Sequence, residues 1–449
     1  MKKKQLIFLI LFLGFSLENN SQEGFSLLDK TASKERVSFK LINNLIVIPL
    51  EINGKKLSFI LDSGVNKTIL FNITKNDSIG LNNVEKVNLQ GLGNGKSVQA
   101  LISKNNKINI KGLTSSNETL YVIIEDFFDL SAKMGTTIHG IVGYNLLKNF
   151  VVKINYKSKK IVFYKPEKYT LKKCRKCEIF PLSFYRRKPY IDAQVQLDTV
   201  GNSLTDVKLL VDSGGSDAIW LFENTKEVIQ TPNRFFADIL GEGLSGSIHG
   251  NRSRIPKIKL KSFELEKPTV SFLDAVSTYN ARKYKERNGS LGASILKRFI
   301  VWFDYSNRQM MLKKNSSLKK EFNYNMSGLD VVYYGKELIK EKKPQKFTGG
   351  YSQKLNTENL NNSISFITSF SYIFKPTYKI KMVVKGSPAD KAGLLKDDVI
   401  IKINGKAAYE YTLGEIVNKF QEKKGRKIKM LIDRKGVKMK FQFRLERKI

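Results

Sequence analysis

Three segments of this chain occur twice, in the same order and with nearly the same spacing, so its first two-thirds must be two copies of one folding unit. Leu57-Ser58-Phe59-Ile60-Leu61 runs into Asp62-Ser63-Gly64, and 150 residues later Val207-Lys208-Leu209-Leu210-Val211 runs into Asp212-Ser213-Gly214. Gly91-Leu92-Gly93 is matched by Gly241-Glu242-Gly243 at the same offset. The longest match sets residues 140–150 against residues 289–299 and includes Gly140, Gly143 and Phe150 against Gly289, Gly292 and Phe299. Both copies then continue as paired apolar runs, 151–156 with 161–164 and 300–305 with 309–312, each pair split by a polar turn. Short alternating strands dominate, and the helical patterns are brief, at 145–150 and 294–299. The chain therefore reads as mainly β, with two similar lobes.

The lobes span residues 35–165 and 189–314, with a polar connector at 166–188. Before them, Lys2 to Lys4 and the apolar run at 6–15 have the form of an export signal ending near residue 21. That run is too short to span a bilayer, and no later stretch is apolar enough to do so, which predicts a mature protein without a membrane span, periplasmic or extracellular. The formal charge of +37 is spread along the chain, with no basic-aromatic cluster of the kind that grips nucleic acid, so it implies a solvated basic surface. Cys174 and Cys177, in an exported chain, read as a small disulfide clip or as idle thiols; the two histidines, His139 and His249, are too few and too distant to complete a zinc site. No metal or cofactor is expected.

An aspartate that ends a strand and is followed by Ser-Gly is common in turns, where the carboxylate caps backbone amides. Two such triplets in register in duplicated lobes say more. An approximate two-fold would bring Asp62 and Asp212 together at its axis, where like charges cannot both ionise cheaply and one proton is retained. One carboxyl is then a base for a water held between them, the other an acid for a peptide carbonyl, and neither a metal nor a side-chain nucleophile is needed. The pair titrates as a unit.

These residues resemble the pepsin and retropepsin family of aspartic peptidases, whose lobes each carry Asp-Thr/Ser-Gly and, later, two apolar residues before a glycine. The later element is Ile141-Val142-Gly143 here, and less regularly Ser290-Leu291-Gly292. The resemblance covers roughly residues 41–314 and implies two pepsin-like β-barrel lobes. It implies that Ser63 and Ser213 hydrogen-bond across the lobes, that Gly64 and Gly214 donate amides to the carboxylates, and that Gly143 and Gly292 let later strands pack beside the catalytic loops. Gly91, Leu92 and Gly93 read either as the tip of a substrate-covering flap or as an ordinary hairpin turn. Lys67, five residues past Asp62, would lower the dyad's pKa if it pointed inward and is otherwise solvated. Trp220 is a core residue or the lining of a pocket.

After the linker at 313–324 a different unit occupies residues 326–446. Val383-Val384-Lys385-Gly386-Ser387-Pro388-Ala389-Asp390, followed by Asp398 and Asn404-Gly405, resembles the PDZ domains of bacterial envelope proteases. Ser387-Pro388 starts a short helix, Gly393 ends it, Asn404-Gly405 turns a hairpin, 412–423 is a second helix, and 428–432 and 438–445 are closing strands. The resemblance implies peptide capture by strand addition, with Ser327, Gly328 and Leu329 as the carboxylate loop, although Asp330 interrupts the usual Gly-apolar repeat. Residues 340–362 read as a polar insertion. The expected function is an exported aspartic endopeptidase acting on peptide or unfolded protein, its PDZ domain docking peptide or regulating access, in an oligomeric state that the sequence leaves open. The alternative is an envelope protein of the same fold that grips peptide without cutting it. A serine protease would need a nucleophile loop that is missing here.

Overall fold

The computed structural model describes residues 24–73, 79–89, 91, 97–124, 130–170, 174–198, 201–243, 246–345 and 367–449. The export signal expected at 1–21 lies outside them. Each lobe is built on one large sheet, and corresponding strands take corresponding places. In lobe 1 the strand Lys55–Leu61 lies between Leu45–Ile52 and Gly140–Val142; in lobe 2 Thr205–Asp212 lies between Lys188–Gln196 and Arg287–Gly292. The strand carrying each aspartate turns alternate residues inward, so Leu57, Phe59 and Leu61 are buried in one lobe and Val207, Leu209 and Val211 in the other. Burying each such side chain stabilises the fold by about 1.5–3 kcal/mol, which fixes the register that presents the triplets at the strand ends.

A third, six-stranded sheet joins the lobes and locates the symmetry axis. The predicted hairpins form, as Val151–Asn155 with Lys160–Tyr164 and Phe299–Asp304 with Gln309–Lys314. Their inner strands then pair antiparallel with each other, Val151 opposite Asp304 and Asn155 opposite Ile300, with Lys153 facing Trp302 at the centre. Lys153 and Trp302 are equivalent in the repeat, so the approximate two-fold passes through that pair. The short helices, Tyr144–Leu147 and Ala293–Leu296, begin one residue earlier than the sequence pattern suggests.

Residues 166–188 are more than a connector. Cys177–Pro181 pairs with Gln309–Lys314 at the edge of the interlobe sheet, and Ser183–Tyr185 pairs back onto Lys188–Gln196. Flanking lysines and arginines hid the apolar alternation of Phe180 and Leu182, both buried. Cys174 and Cys177 are disulfide-bonded, closing the loop just before this strand.

The PDZ unit has its own core, running from Tyr324 to Ile449. Ser387 caps the helix Pro388–Lys391 by accepting from the Asp390 amide, and Thr412 with Glu415 makes a reciprocal capping box on Leu413–Lys419. That second helix stops short of residue 423: Phe420 is its C-cap, and the lysine pair before Gly425 has already left it. The expected insertion is partly a strand. Leu329–Gln345 and Ile367–Val383 form one long hairpin, so 340–345 belong to a ladder, and the rest of the expected insertion lies outside the described residues. No described helix is long and apolar enough to cross a membrane.

Candidate active site

The two triplets meet through a reciprocal set of four hydrogen bonds. The Ser63 amide donates to Ser213 Oγ at 2.9 Å, and the Ser213 amide donates to Ser63 Oγ at 3.0 Å. Each hydroxyl then donates to the strand preceding the opposite triplet, Ser63 to the Val211 carbonyl at 2.7 Å and Ser213 to the Leu61 carbonyl at 3.0 Å. Both serines are buried, so every donor and acceptor here is matched within the protein rather than by solvent. Only a small hydroxyl residue fits this exchange, which explains its presence in both copies.

The grip fixes the carboxyls. Gly64 N–H donates to Asp62 Oδ1 at 2.6 Å and Gly214 N–H donates to Asp212 Oδ1 at 3.1 Å. A Cβ on Gly64 would lie 3.1 Å from Asp62 Oδ1 and 3.2 Å from Asp212 Cγ, so a single methyl-sized point touches both carboxyls; one on Gly214 would lie 2.2 Å from Asp62 Cγ. Behind them, Gly140–Val142 and Arg287–Gly292 run parallel to the aspartate strands. A Cβ on Gly143 would come 2.2 Å from the Asp62 carbonyl oxygen, and one on Gly292 2.2 Å from that of Asp217. Those approaches exclude any side chain.

Electrostatics separates the two acids. Burial, and then the neighbouring Asp212 charge, push the Asp62 carboxyl up to about 7, against weaker opposition from the Gly64 amide and Lys188. Burial also raises Asp212, but Arg287, Lys188 and the amides of Gly215 and Gly214 oppose it. Lys188 and Arg287 were not recognised in the sequence. Tyr190 pairs with Leu210 and Ile191 with Leu209, and continuing that register sets Lys188 opposite Asp212. Arg287 is buried and held by the Gly289 carbonyl at 3.1 Å and Ser290 Oγ at 2.7 Å. Lys67 turns away from the dyad and lies 3.9 Å from the centre of the Tyr121 ring.

Asp62 opens into a cavity of about 1060 Å³ whose floor includes the apolar side chains of Ile60, Phe71 and Ile141. Trp220 forms part of its wall, its indole N–H donating to Asp217 Oδ2 at 2.8 Å. Gly91 accepts a hydrogen bond from Asn280 of lobe 2 at 3.2 Å; Leu92 and Gly93 lie outside the described residues. The counterpart Gly241 belongs to the hairpin Phe236–Gly243 and Gly246–Arg254 and lines the same cavity.

The far wall is the PDZ domain: Gly328, Leu329 and Val331 face the chamber that holds Asp62. In the segment Ser327–Leu329, Ser327 N–H donates to Asn325 Oδ1 and Leu329 N–H to Ser327 Oγ, each at 3.0 Å. A lobe 1 helix that the sequence did not reveal, Leu130–Met134, packs against both Leu329–Gln345 and Leu413–Lys419, the two elements that flank a PDZ peptide groove. A Cβ on Gly135, just after it, would lie 2.9 Å from Leu413 Cβ. Among the described residues no group of three or more His, Cys, Asp or Glu side chains could hold a metal.

Comparison with known proteins agrees with this division. Residues 48–146 match the family described as aspartyl protease, and residues 379–434 match the PDZ domain family. The carboxy-terminal processing proteases CtpA and CtpB of Bacillus subtilis are 46% identical over 54 residues and 44% identical over 63 residues. These stretches are 12% and 14% of this chain, and the chain spans only 12% and 13% of those relatives. A crystal structure of aspartic proteinase from Irpex lacteus aligns with 63% of this chain and 98% of its own, at 13% identity and a TM-score of 0.42.

Proposed function

From a chain in which an aspartyl protease region precedes a PDZ domain, we infer an aspartic-type endopeptidase that cleaves peptide bonds with water activated by Asp62 and Asp212. The observation that carries the reading is the reciprocal serine grip, which sets the two carboxyls side by side, with Asp62 lining a cavity that has room for an extended peptide. Arg287 favours the ionised form of Asp212, while Lys188 acts on both acids, and on that difference we assign the base role to Asp212 and the acid role to Asp62.

The chemistry follows from that division. Asp212 takes a proton from water as its oxygen attacks the carbonyl carbon, and Asp62 gives its proton to the carbonyl oxygen. The resulting neutral diol lies against both carboxyls. Collapse breaks the C–N bond: the amine nitrogen accepts the proton from Asp212, the product carboxyl forms, and a diol hydroxyl returns a proton to Asp62. Fixed amides and the hydrogen-bonded serines need no rearrangement as charge moves, which is where preorganisation lowers the barrier.

We assign the PDZ domain to control of access, since it forms one wall of the chamber and the helix Leu130–Met134 lies against its groove elements. Action outside the cytoplasm is supported by the charged and apolar leader at residues 2–15 and by the Cys174–Cys177 bond. The test is cleavage of a denatured protein below pH 7 in the presence of a hydroxyl-bearing transition-state analogue such as pepstatin. Inhibition at stoichiometric analogue is expected; undiminished cleavage by an Asp212→Asn protein would overturn the assignment.

A further inference from the structure

A second cavity, of about 430 Å³, opens between the loop that follows Asp62 and the turn that precedes Lys188. Asn66 and Lys67 come from the loop just after Asp62; Arg186 and Arg187 form the turn that leads into Lys188, opposite Asp212; Lys148 comes from the end of the helix Tyr144–Leu147. Asn66 Nδ2 donates to the Arg186 carbonyl at 3.0 Å and ties the first two segments together.

Four cationic side chains line this space with one acid, Glu118. That carboxyl is buried, and its oxygens are already occupied by Ser115 Oγ and Asn145 Nδ2 at 2.9 Å each. Aromatic faces hold three of the cations in place. Lys67 lies over Tyr121, Arg187 over Tyr144 at 5.6 Å and Arg186 over Tyr185 at 5.4 Å. A chain this basic has many clusters on its surface, but here the charges converge on a concavity from three separate segments and are held by rings.

The turn itself is a costly choice. Arg186 and Arg187 both sit in the left-handed region, at φ 50° and 64°, where the same chain elsewhere uses Asn53-Gly54 and Asn404-Gly405. Side chains that strain a two-residue hairpin are retained where their function compensates.

We propose that this pocket is a carboxylate subsite: a peptide lying across the dyad places an acidic group among Lys67, Lys148, Arg186 and Arg187. The proposal rests on the peptidase reading and names its preferred substrates, peptides with an acidic side chain or a free C-terminus a short way from the cleaved bond. Both sources present the same chemistry, a carboxylate that the guanidinium fork receives in two parallel bonds.

The test uses the full chain and glutamine-based peptides in which one Glu is moved from position to position, each made with a free or an amidated C-terminus. Cleavage is followed with the parent and binding with the Asp62→Asn protein. At one position, or at the free terminus, the carboxylate should improve kcat/KM and affinity about fivefold at low salt, the scale of exposed ion pairs, and salt should erase the gain. Lys67→Gln with Arg187→Gln should bring the ratio close to one. Lys67→Glu with Arg187→Glu should invert it toward a lysine-bearing peptide, which a misfolded protein could not do. Indifference to the carboxylate in both assays, or a preference that survives the paired substitutions, overturns the subsite while leaving the peptidase reading standing. A parent that cleaves no peptide while Asp62→Asn still prefers acidic ones sinks the peptidase reading instead.

Discussion

The two lobes present the same triplet in the same hydrogen-bonding frame, yet their aspartates sit in different fields. Ser63 and Ser213 make mirror-image bonds within a few tenths of an ångström of each other. Around that frame the symmetry ends: Lys188 and Arg287 both come from lobe 2 strands, Lys188 acting on both acids and Arg287 on Asp212, while Asp62 faces the chamber and the PDZ wall. Duplication supplies the geometry of the pair, and later divergence of its neighbours gives Asp212 the added field of Arg287.

The comparison can be broken most severely at the acids. Asp62→Asn and Asp212→Asn should each lower peptide cleavage on the order of 10³-fold or more, measured as kcat/KM, because neither acid can do the other's half of the proton transfer. The serines test the symmetric part. Ser63→Ala and Ser213→Ala each leave a buried amide and a buried carbonyl without partners, so both should destabilise by about 2–4 kcal/mol in denaturant titrations. The losses should be similar in the two lobes; a large inequality would show that the grip is not shared equally.

Lys188 tests the field that lobe 2 imposes on both acids. Its ammonium favours the ionised forms of both aspartates, so Lys188→Met should move the alkaline limit of activity to higher pH, as read from a pH–rate profile. A further effect is on the pH dependence of stability. Folded Asp62 titrates near 7 against 3.8 as a free side chain, so between those values the native state keeps a proton that the unfolded chain has lost. Stability should therefore fall as pH rises through that window, and Asp62→Asn should flatten the decline, as followed by thermal melting.

The strands of both lobes were legible because Leu57, Phe59 and Leu61 alternate inward and recur as Val207, Leu209 and Val211. The capped helices and Asn404-Gly405 turn of the PDZ unit were legible because their signals are local. The field around the dyad was not, since Lys188 and Arg287 reach it only through strand pairing across the sheet. Among so many lysines and arginines, neither carries a local mark. Leu130–Met134 escaped for a related reason: it is one helical turn, and its packing partners lie about 200 and 280 residues away in the sequence, in Leu329–Gln345 and Leu413–Lys419.

The central claim is that one proton, shared by Asp62 and Asp212, makes this site a hydrolase, and the pH dependence of kcat/KM for a single peptide tests it most directly. Activity should be highest below pH 7, decline through about 7 as the pair loses its last proton, and be lost in Asp62→Asn at every pH. Activity that rises through pH 7 and persists above it, or that survives in Asp62→Asn, would contradict the account.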